Sequence, residues 1–339
     1  MKKGWKITIS IVSSILLLII LTISIYFIWP WNRDFFNNAK EEFSIPGLDT
    51  DFVPQGMTKV YDQNKYIISG YMNDGSPSRY YVIDGENNKT LKYFTLKTPG
   101  GKDYNEHAGG VASFGSTLWT VSSNELGGFI YRFMLSDVED VEDGGVVNIK
   151  DYVNANNNAD WVMVHDNKLF VGEFYLKGKH DTSERHHFKT SSGKTYGALA
   201  LGYTINELKK GGLQEDNRPA CAISIDEKCQ GVAVTEDGKF ITSSSYSVFK
   251  NSKINMYENV LLTESTTKFK FTAGYEIPVY FLDDSTMISS KDVPIMSEEI
   301  VVNDGRLYIL FESSAKKYKN LCRVKLDDVY SVMVDYLVK

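Results

Sequence analysis

Five stretches of this chain share one pattern of apolar and polar positions. Each has an apolar strand, a polar turn rich in Asp, Asn or Gly, and a second apolar strand. They begin at Gln55, Gly109, Asp160, Gln230 and Glu298, and their second residues lie 54, 51, 70 and 68 positions apart. Strand repeats of this length, with no amphipathic helical pattern between them, are typical of propeller blades. The pattern therefore predicts an all-β fold, a five-bladed β-propeller.

Further apolar runs predict the outer strands of the blades. The predicted third strands are residues 78–84, 128–135, 197–205, 278–284 and 321–328, and the predicted fourth strands are 90–97, 146–153, 220–226 and 286–293. The fifth blade lacks a fourth strand of its own, so we expect residues 41–48 to complete it and close the ring. Closure hides sheet edges that would otherwise pair with other chains. The two longer periods predict insertions at 176–196 and 247–277, between second and third strands.

The N-terminal segment differs from the rest of the chain. Residues 7–29 contain no charged side chain, and as a helix this run is long enough to cross a bilayer. The lysines before it predict a cytoplasmic tail (1–6), a transmembrane signal anchor (7–29), a linker (30–40) and a propeller ectodomain (41–339). We therefore expect a single-pass protein of the cell membrane whose C-terminal domain is extracytoplasmic. A cleaved signal peptide is the alternative, although the apolar run is longer than usual for one.

Charge and cysteine content exclude several classes of function. The formal net charge is −6, and it is −9 after the three N-terminal lysines are left out, which argues against a nucleic-acid partner. Three cysteines are too few for a disulfide framework, so the core must hold the fold. The sequence has no nucleophile-elbow motif, no CxxC motif and no phosphate-binding loop, which leaves a serine hydrolase, a redox dithiol and a P-loop enzyme unsupported.

Polar residues stand at the ends of the five hairpins. Because the innermost strands of a propeller run along its axis, the starts of the first strands and the ends of the second strands meet on one face, the axial mouth. The candidate ligand-binding residues there are Gln55, Glu173, Gln230 and Glu312. Asp160 and Glu298 are the candidate metal ligands, with calcium as the candidate ion, since calcium binds carboxylate and amide oxygens. His107 is the candidate general base.

Two simpler interpretations stay open at this stage. The mouth is polar in any propeller whose strand ends face a water-filled channel, so its polarity alone does not require a ligand. His180, His186 and His187 lie in the first insertion and are candidate zinc ligands. The segment has no Cys partner and no HxxxH helix, which favours a solvated loop over a zinc site.

Seven short motifs carry a resemblance to a known group of proteins. They are FVPQGM, HAGGVA, VGEFY, CQGVAV, SSSY, PIMSEEI and LYILFESSAKKY, and together they extend from about residue 43 to about residue 320. In combination they resemble a family of bacterial secreted or membrane-anchored β-propeller proteins. The resemblance implies the propeller fold and an extracytoplasmic location, brings no catalytic mechanism with it, and adds Tyr175 and Tyr246 to the candidate ligand-binding residues.

The sequence leaves three functions to compare. The first is a membrane-anchored protein that binds a small molecule, a cell-surface ligand or a metal ion at the axial mouth. The second is a metal-assisted hydrolase, either lactonase- or esterase-like or a glycoside hydrolase, that uses Asp160, Glu298 and His107. The third is a surface scaffold for protein partners, which requires an exposed apolar patch. Likeness to calcium-dependent lactonase and arabinan-hydrolase propellers rests on architecture alone.

Overall fold

Five antiparallel sheets arranged as blades around one axis form the body of the protein. The computed structural model describes residues 2–28, 31–214 and 217–338, and for residues 2–10 and 26–28 it describes the backbone only. The innermost strand of each blade packs against the innermost strands of its two neighbours, so the ring is closed. The prediction of an all-β, five-bladed propeller is confirmed.

Each blade has four antiparallel strands, and two blades carry additional strands on their outer edges. From the axis outward, blade I contains Phe52–Val60, Lys65–Met72, Arg79–Asp84 and Lys89–Lys97, extended by the parallel strand Gly145–Asn148. Blade II contains Gly110–Phe114, Thr117–Asn124, Gly127–Met134 and Asp151–Asn154. Blade III contains Trp161–His165, Lys168–Gly172, Ala198–Thr204 and Cys221–Ile225, extended by Glu276–Phe281 and Thr267–Lys270.

The last two blades close the ring. Blade IV contains Cys229–Val234, Phe240–Ser244, Ser252–Tyr257 and Met287–Val293. Blade V contains Ser297–Asn303, Arg306–Phe311, Asp328–Met333 and, as its outermost strand, Ala39–Ser44. Outside the blades lie a two-stranded hairpin (Phe188–Lys189 and Thr195–Tyr196), the α-helices Lys2–Ile28, Arg33–Asn38 and Leu135–Asp140, and short 3₁₀ helices at Tyr61–Gln63, Glu184–His186, Lys210–Gly212, Val260–Leu262 and Val334–Val338.

Local chemistry explains the hairpins at the centre of the blades. The turn of blade V uses Asp304 and Gly305, and the turn of blade III uses Asp166 and Asn167. All four residues have positive φ, the backbone required by the two-residue turns that match the twist of paired strands. Apolar side chains of the strands then pack between neighbouring sheets, where they form the core of the ring.

An N-terminal strand completes blade V, as predicted, but the residues that pair differ from the predicted ones. Ala39–Ser44 pairs antiparallel with Asp328–Met333, whereas the prediction paired residues 41–48 with 321–328. Phe43 and Val329 are fully buried at this junction, and Cys322 and Leu326 are also buried although their segment forms no strand. Burial of these loop residues explains why the apolar pattern suggested a strand seven residues too early.

Blades II and IV also correct the predicted outer strands. The third strand of blade IV is Ser252–Tyr257, and the predicted strand at 278–284 instead pairs in parallel with the outer strand of blade III. The second insertion therefore follows the third strand and covers the edge of a neighbouring sheet, which protects that edge from intermolecular pairing. The predicted strand at 146–153 is divided between blades I and II.

The N-terminal helix Lys2–Ile28 precedes the propeller. Its described apolar side chains between residues 11 and 25 are all exposed. In the part of the chain that the structure describes, no helix combines the length and the apolar character needed to cross a membrane. The predicted span at 7–29 extends past the described side chains at both ends, and it stays a prediction.

Candidate functional site

A cavity of about 830 Å³ opens at the axial mouth. Each of the five blades contributes one candidate residue to its lining: Gln55, His107, Asp160, Gln230 and Glu312. They come from five stretches of chain that span more than 250 residues, and the ring brings them together because every blade presents the same end of its inner hairpin to this face. We call this space the axial cavity.

Bulges in the innermost strands set the direction of several of these side chains. The strand pairing shifts register at Gln55 in blade I, at Gln230 in blade IV and at Glu298–Glu299 in blade V. A bulge of this kind changes the direction of a side chain relative to a regular strand, and bulges are common beside functional sites. Three blades therefore use the same device at the start of the inner strand.

The backbone that enters the inner strands is strained in three blades. Ala108, Lys228 and Met296 have φ of 52°, 65° and 62°, in the left-handed region that side chains other than Gly, Asn and Asp rarely occupy. Each stands within two residues of the first strand of its blade. Gly109 is constrained for another reason, since a Cβ there would lie 2.3 Å from the carbonyl oxygen of Asp160. Strained backbone of this kind concentrates at sites where geometry matters for function.

Glu298 and Glu312 form a pair of buried carboxyl groups beside the cavity. The pKa of Glu298 is raised well above its usual range, mainly by burial and then by the charge of Glu312 and a hydrogen bond to it. Burial also raises the pKa of Glu312, to about 7, although the hydrogen bonds from Glu298 and Gln55 oppose this rise. Burial and the neighbouring Glu312 carboxylate thus both favour the protonated form of Glu298.

Two amides hold this pair. Gln230 Nε2 donates to Glu298 Oε1 over 3.2 Å, and Gln55 Nε2 donates to Glu312 Oε2 over 3.1 Å. The second amide proton of Gln55 is also used, because Nε2 donates to the carbonyl oxygen of Pro54 over 2.7 Å. Blades I, IV and V are thus joined at the axis by one hydrogen-bonded network of two acids and two amides.

Asp160 is a third carboxyl group with a displaced pKa. Its Oδ2 accepts a hydrogen bond from the backbone N–H of Phe174 over 2.7 Å. Burial raises its pKa to about 7, the Phe174 hydrogen bond opposes the rise, and the nearby charge of Glu173 adds to it. Asp160 lines the axial cavity, so a group that titrates near neutral pH is accessible to a bound molecule.

Several other carboxylates in the described chain have basic partners, although the buried carboxyl groups of Asp283 and Glu299 contact only hydroxyl and backbone N–H groups. Asp151 pairs with Arg132, Glu42 lies 3.5 Å from Arg306 Nε, and Glu173 Oε1 lies 2.9 Å from His186 Nδ1. In contrast, Asp160, Glu298 and Glu312 are held by amides and a backbone N–H. Carboxyl groups kept in a protein without a cationic partner are energetically unfavourable as anions, which is why their pKa values rise.

His107 lines the cavity beside an aromatic ring. It stacks on Tyr71 with ring centroids 4.7 Å apart, and its backbone N–H donates to Ser122 Oγ over 3.2 Å. Desolvation of the imidazole by the surrounding protein, and then the charges of Lys317 and His180, lower the pKa of His107 to about 4. The imidazole is therefore neutral at physiological pH, as a general base or a hydrogen-bonding group must be.

Two predicted ligand-binding residues lie elsewhere. Glu173 is buried behind the cavity wall, where it accepts hydrogen bonds from the backbone N–H groups of Asn158 and Leu199 in addition to its contact with His186. Tyr175 packs edge-on against His187, outside the cavity lining. The structure thus gives Glu173 a structural position, whereas Tyr246 does line the cavity.

The three insertion histidines point to different places. His180 lines the axial cavity, His186 contacts Glu173, and His187 Nε2 lies 3.0 Å from Thr182 Oγ1. The described residues contain no group of three or more His, Cys, Asp or Glu side chains arranged to hold a metal ion. The predicted metal ligands Asp160 and Glu298 have the separate partners described above.

Among the residues of the cavity lining that sequence reasoning missed are Tyr71, Lys317 and Tyr318. Lys317 Nζ donates to Tyr71 Oη over 2.7 Å and lies 5.1 Å from the ring centroid of Tyr318. The sequence contained a signal for Lys317 and Tyr318, because their segment follows a second strand that ends at the mouth.

Comparisons with known proteins show only a distant likeness. No known protein family matches this chain, and no curated protein matches it. Among solved structures, it is similar to the PQQ-bound aldose sugar dehydrogenase of Streptomyces coelicolor, with 11% identity, a TM-score of 0.48, and coverage of 86% of this chain and 95% of that one. It is also similar to the calcium-binding protein regucalcin of Agrobacterium tumefaciens, with 8% identity, a TM-score of 0.40, and coverage of 86% and 93%. Likeness at this level carries no argument about activity.

Proposed function

We propose that this protein binds a small, neutral, polyhydroxylated ligand, such as a monosaccharide or a short oligosaccharide, in the axial cavity. The observation that carries the proposal is the Glu298–Glu312 pair, held by two amides at the edge of the cavity. Protonated acids and amides both donate and accept hydrogen bonds, as hydroxyl groups do. A polar network of this kind complements a neutral ligand better than it complements a strongly charged one.

The walls of the cavity support the same ligand class. The stacked rings of Tyr71 and His107 and the ring of Tyr246 provide flat surfaces, and Asp160 provides an acceptor. Small-molecule sites combine apolar or aromatic walls with a few convergent polar groups, and a sugar ring has both an apolar face and polar edges. A solvated channel that binds no ligand does not require a buried pair of carboxyl groups, such as Glu298 and Glu312, or strained backbone at the starts of its inner strands.

We also propose that the protein is anchored in the cell membrane and presents the propeller outside the cytoplasm. The support is the uncharged run at residues 7–29, the lysines before it, and the exposure of its described apolar side chains. In that location, the cavity faces ligands of the cell surface or the medium.

A thermal-shift experiment on the full-length protein tests the ligand. The probes are a panel of monosaccharides and disaccharides, with calcium chloride as a separate arm because Asp160 and Glu298 were predicted as metal ligands. Ligand binding to the native state raises the melting temperature by mass action. We expect at least one sugar to stabilise the wild type, and Glu312→Gln or Tyr71→Ala to reduce that shift by more than half. Glu125→Gln, at an exposed position of blade II, is the matched control and should respond as the wild type does.

Two results would contradict the proposed ligand. If no sugar in the panel moves the melting temperature, or if Glu312→Gln and Tyr71→Ala respond as the wild type does, the axial cavity is not a sugar site. A calcium shift that disappears in Glu298→Gln, with no sugar response, would replace the sugar with a cation at the same residues.

A hydrolase is the second candidate, and one observation favours it. Asp160 has a pKa near 7 and is accessible in the cavity, and an acid or base works best when its pKa lies near the working pH. Neutral His107 provides a second group that accepts protons. Turnover of a lactone or glycoside by the wild type, lost in Asp160→Asn while binding is retained, would identify the protein as an enzyme.

A further inference from the structure

A second cavity of about 630 Å³ lies beside the axial cavity, between the first insertion and blade IV. Tyr246 and Lys179 line both cavities, so the two spaces share a wall. We call this second space the lysine pocket, because five lysines line it: Lys177, Lys179, Lys228, Lys250 and Lys253. This concentration of positive charge contrasts with the net negative charge of the whole chain.

The carboxylates of the lysine pocket neutralise only one of these five lysines. The pocket contains Asp226 and Glu227, but Asp226 pairs with Lys194, which lies outside the pocket, and Glu227 pairs with Lys228. Lys253 Nζ lies 3.0 Å from Asp292 Oδ1. Among the described residues, Lys177, Lys179 and Lys250 form no ion pair. Three exposed lysines of the pocket therefore lack a carboxylate partner in the described chain, although Lys179 Nζ lies 5.4 Å from the ring centroid of Tyr246.

Neutral hydrogen-bond donors lie between the lysines. The hydroxyl groups of Ser244 and Ser247 line the pocket, as do Ser290, Asn251 and Asn255, which also donate hydrogen bonds to Asn255, Asp292 and Thr242, respectively. Hydroxyl and amide N–H groups complement the oxygens of a phosphate or carboxylate, and the lysines supply the opposite charge. The chemistry of the lining therefore matches an oxyanion.

Backbone geometry gives an independent indication at the same place. Lys228 has φ of 65°, a conformation that is strained for a lysine. It is held there by two hydrogen bonds, since its N–H donates to the carbonyl oxygen of Tyr175 and its carbonyl oxygen accepts from the N–H of Ser245, both over 3.0 Å. These bonds connect the residue that precedes the first insertion to blade IV, at two residues that line the pocket.

We propose that the lysine pocket is an anion-binding site that takes the phosphate or carboxylate group of a small organic ligand. This site is separate from the acid and amide network of the axial cavity. Because Tyr246 and Lys179 line both spaces, one molecule with a neutral polyhydroxylated body and an anionic end fills them together. Only this last step rests on the proposed function of the axial cavity.

The test uses inorganic phosphate as the probe and the full-length protein. The melting temperature is measured in increasing phosphate and, in parallel, in sodium chloride at the same ionic strength, which separates specific binding from screening. We expect phosphate to stabilise the wild type more than chloride does. The double variant Lys177→Gln/Lys250→Gln should weaken phosphate binding roughly tenfold. The matched control is Lys89→Gln/Lys102→Gln, which removes two exposed lysines of blade I and its following loop and should bind phosphate as the wild type does.

A third variant separates this inference from the proposed function. Glu312→Gln should reduce the response to sugars by more than half and leave the response to phosphate unchanged, because Glu312 lines the axial cavity and not the lysine pocket. If phosphate and chloride act alike on the wild type, the lysines are merely solvated and the inference is wrong. It is also wrong if the double variant of the lysine pocket binds phosphate as tightly as the double variant of blade I.

Discussion

At the scale of single residues, the sequence identified one polar group of the axial cavity in each blade but not the pKa values of these groups. Gln55, His107, Asp160, Gln230 and Glu312 were selected because they stand at hairpin ends, and all five line the cavity. Glu173 has the same sequence position, yet its carboxylate contacts His186 and backbone N–H groups behind the wall. Whether a strand-end carboxylate faces the axis or an adjacent loop depends on tertiary packing, which hairpin spacing does not encode.

The raised pKa of Asp160 predicts how stability depends on pH. Above about pH 4, the unfolded chain releases this proton, whereas the folded protein keeps it until about pH 7. The folded state then binds more protons, so the free energy of unfolding falls as pH rises between these values. Urea unfolding at about pH 5 and about pH 7.5 measures the difference. Asp160→Asn should reduce this pH dependence, and the exposed control Glu125→Gln should keep it. Equal pH dependence in wild type and Asp160→Asn would contradict the assigned pKa.

At the scale of secondary-structure elements, inner hairpins were predicted more accurately than outer strands. The inner hairpins have strong turn signals such as Asp304–Gly305 and nearly continuous apolar strands, because both faces of the strand are covered. Outer strands such as Gly145–Asn148 and Asp151–Asn154 are short and partly exposed, so their pattern resembles that of loops. The buried loop residues near Cys322 gave the opposite error and mimicked a strand.

The closing strand Ala39–Ser44 gives a prediction at this scale. Phe43 is 4% exposed and lies with its ring centroid 5.0 Å from that of Tyr66, so Phe43→Ala should lower the free energy of unfolding by about 3–5 kcal/mol. The matched control is Phe249→Ala, at a position that is 60% exposed, where we expect a loss below about 1 kcal/mol. Urea unfolding of the two variants provides the comparison. Similar losses for both would show that the closing strand contributes little to the stability of the ring.

At the scale of the whole molecule, ring closure produces both cavities. The axial cavity needs all five blades, and the lysine pocket needs the first insertion to pack against blade IV. The N-terminal strand belongs to the last blade, so the segment that follows the predicted anchor is also the segment that closes the ring. Stability of the propeller and its attachment to the N-terminal helix are therefore coupled through one strand.

The proposed topology predicts protease sensitivity at this scale. Protease added to intact cells that produce the full-length protein should degrade the propeller, because the lysines before the apolar run keep the N-terminus in the cytoplasm. Replacing Lys2, Lys3 and Lys6 by Glu should reverse or impair this orientation and protect the propeller. Recovery of the intact protein in the soluble cytoplasmic fraction would contradict the proposed anchoring.

The sequence by itself determined the fold class, the number of blades and the face on which the polar hairpin ends meet. Hydrophobic periodicity and turn chemistry are local properties, and a repeated local unit leaves few ways to build a closed ring. Only the tertiary structure decided that Glu298 is buried beside Glu312, that Glu173 contacts His186 behind the cavity wall, and that the edge of blade III is covered by the strand Glu276–Phe281. These features depend on distances between residues far apart in the chain, and on the burial that sets their pKa values, so no local pattern specifies them.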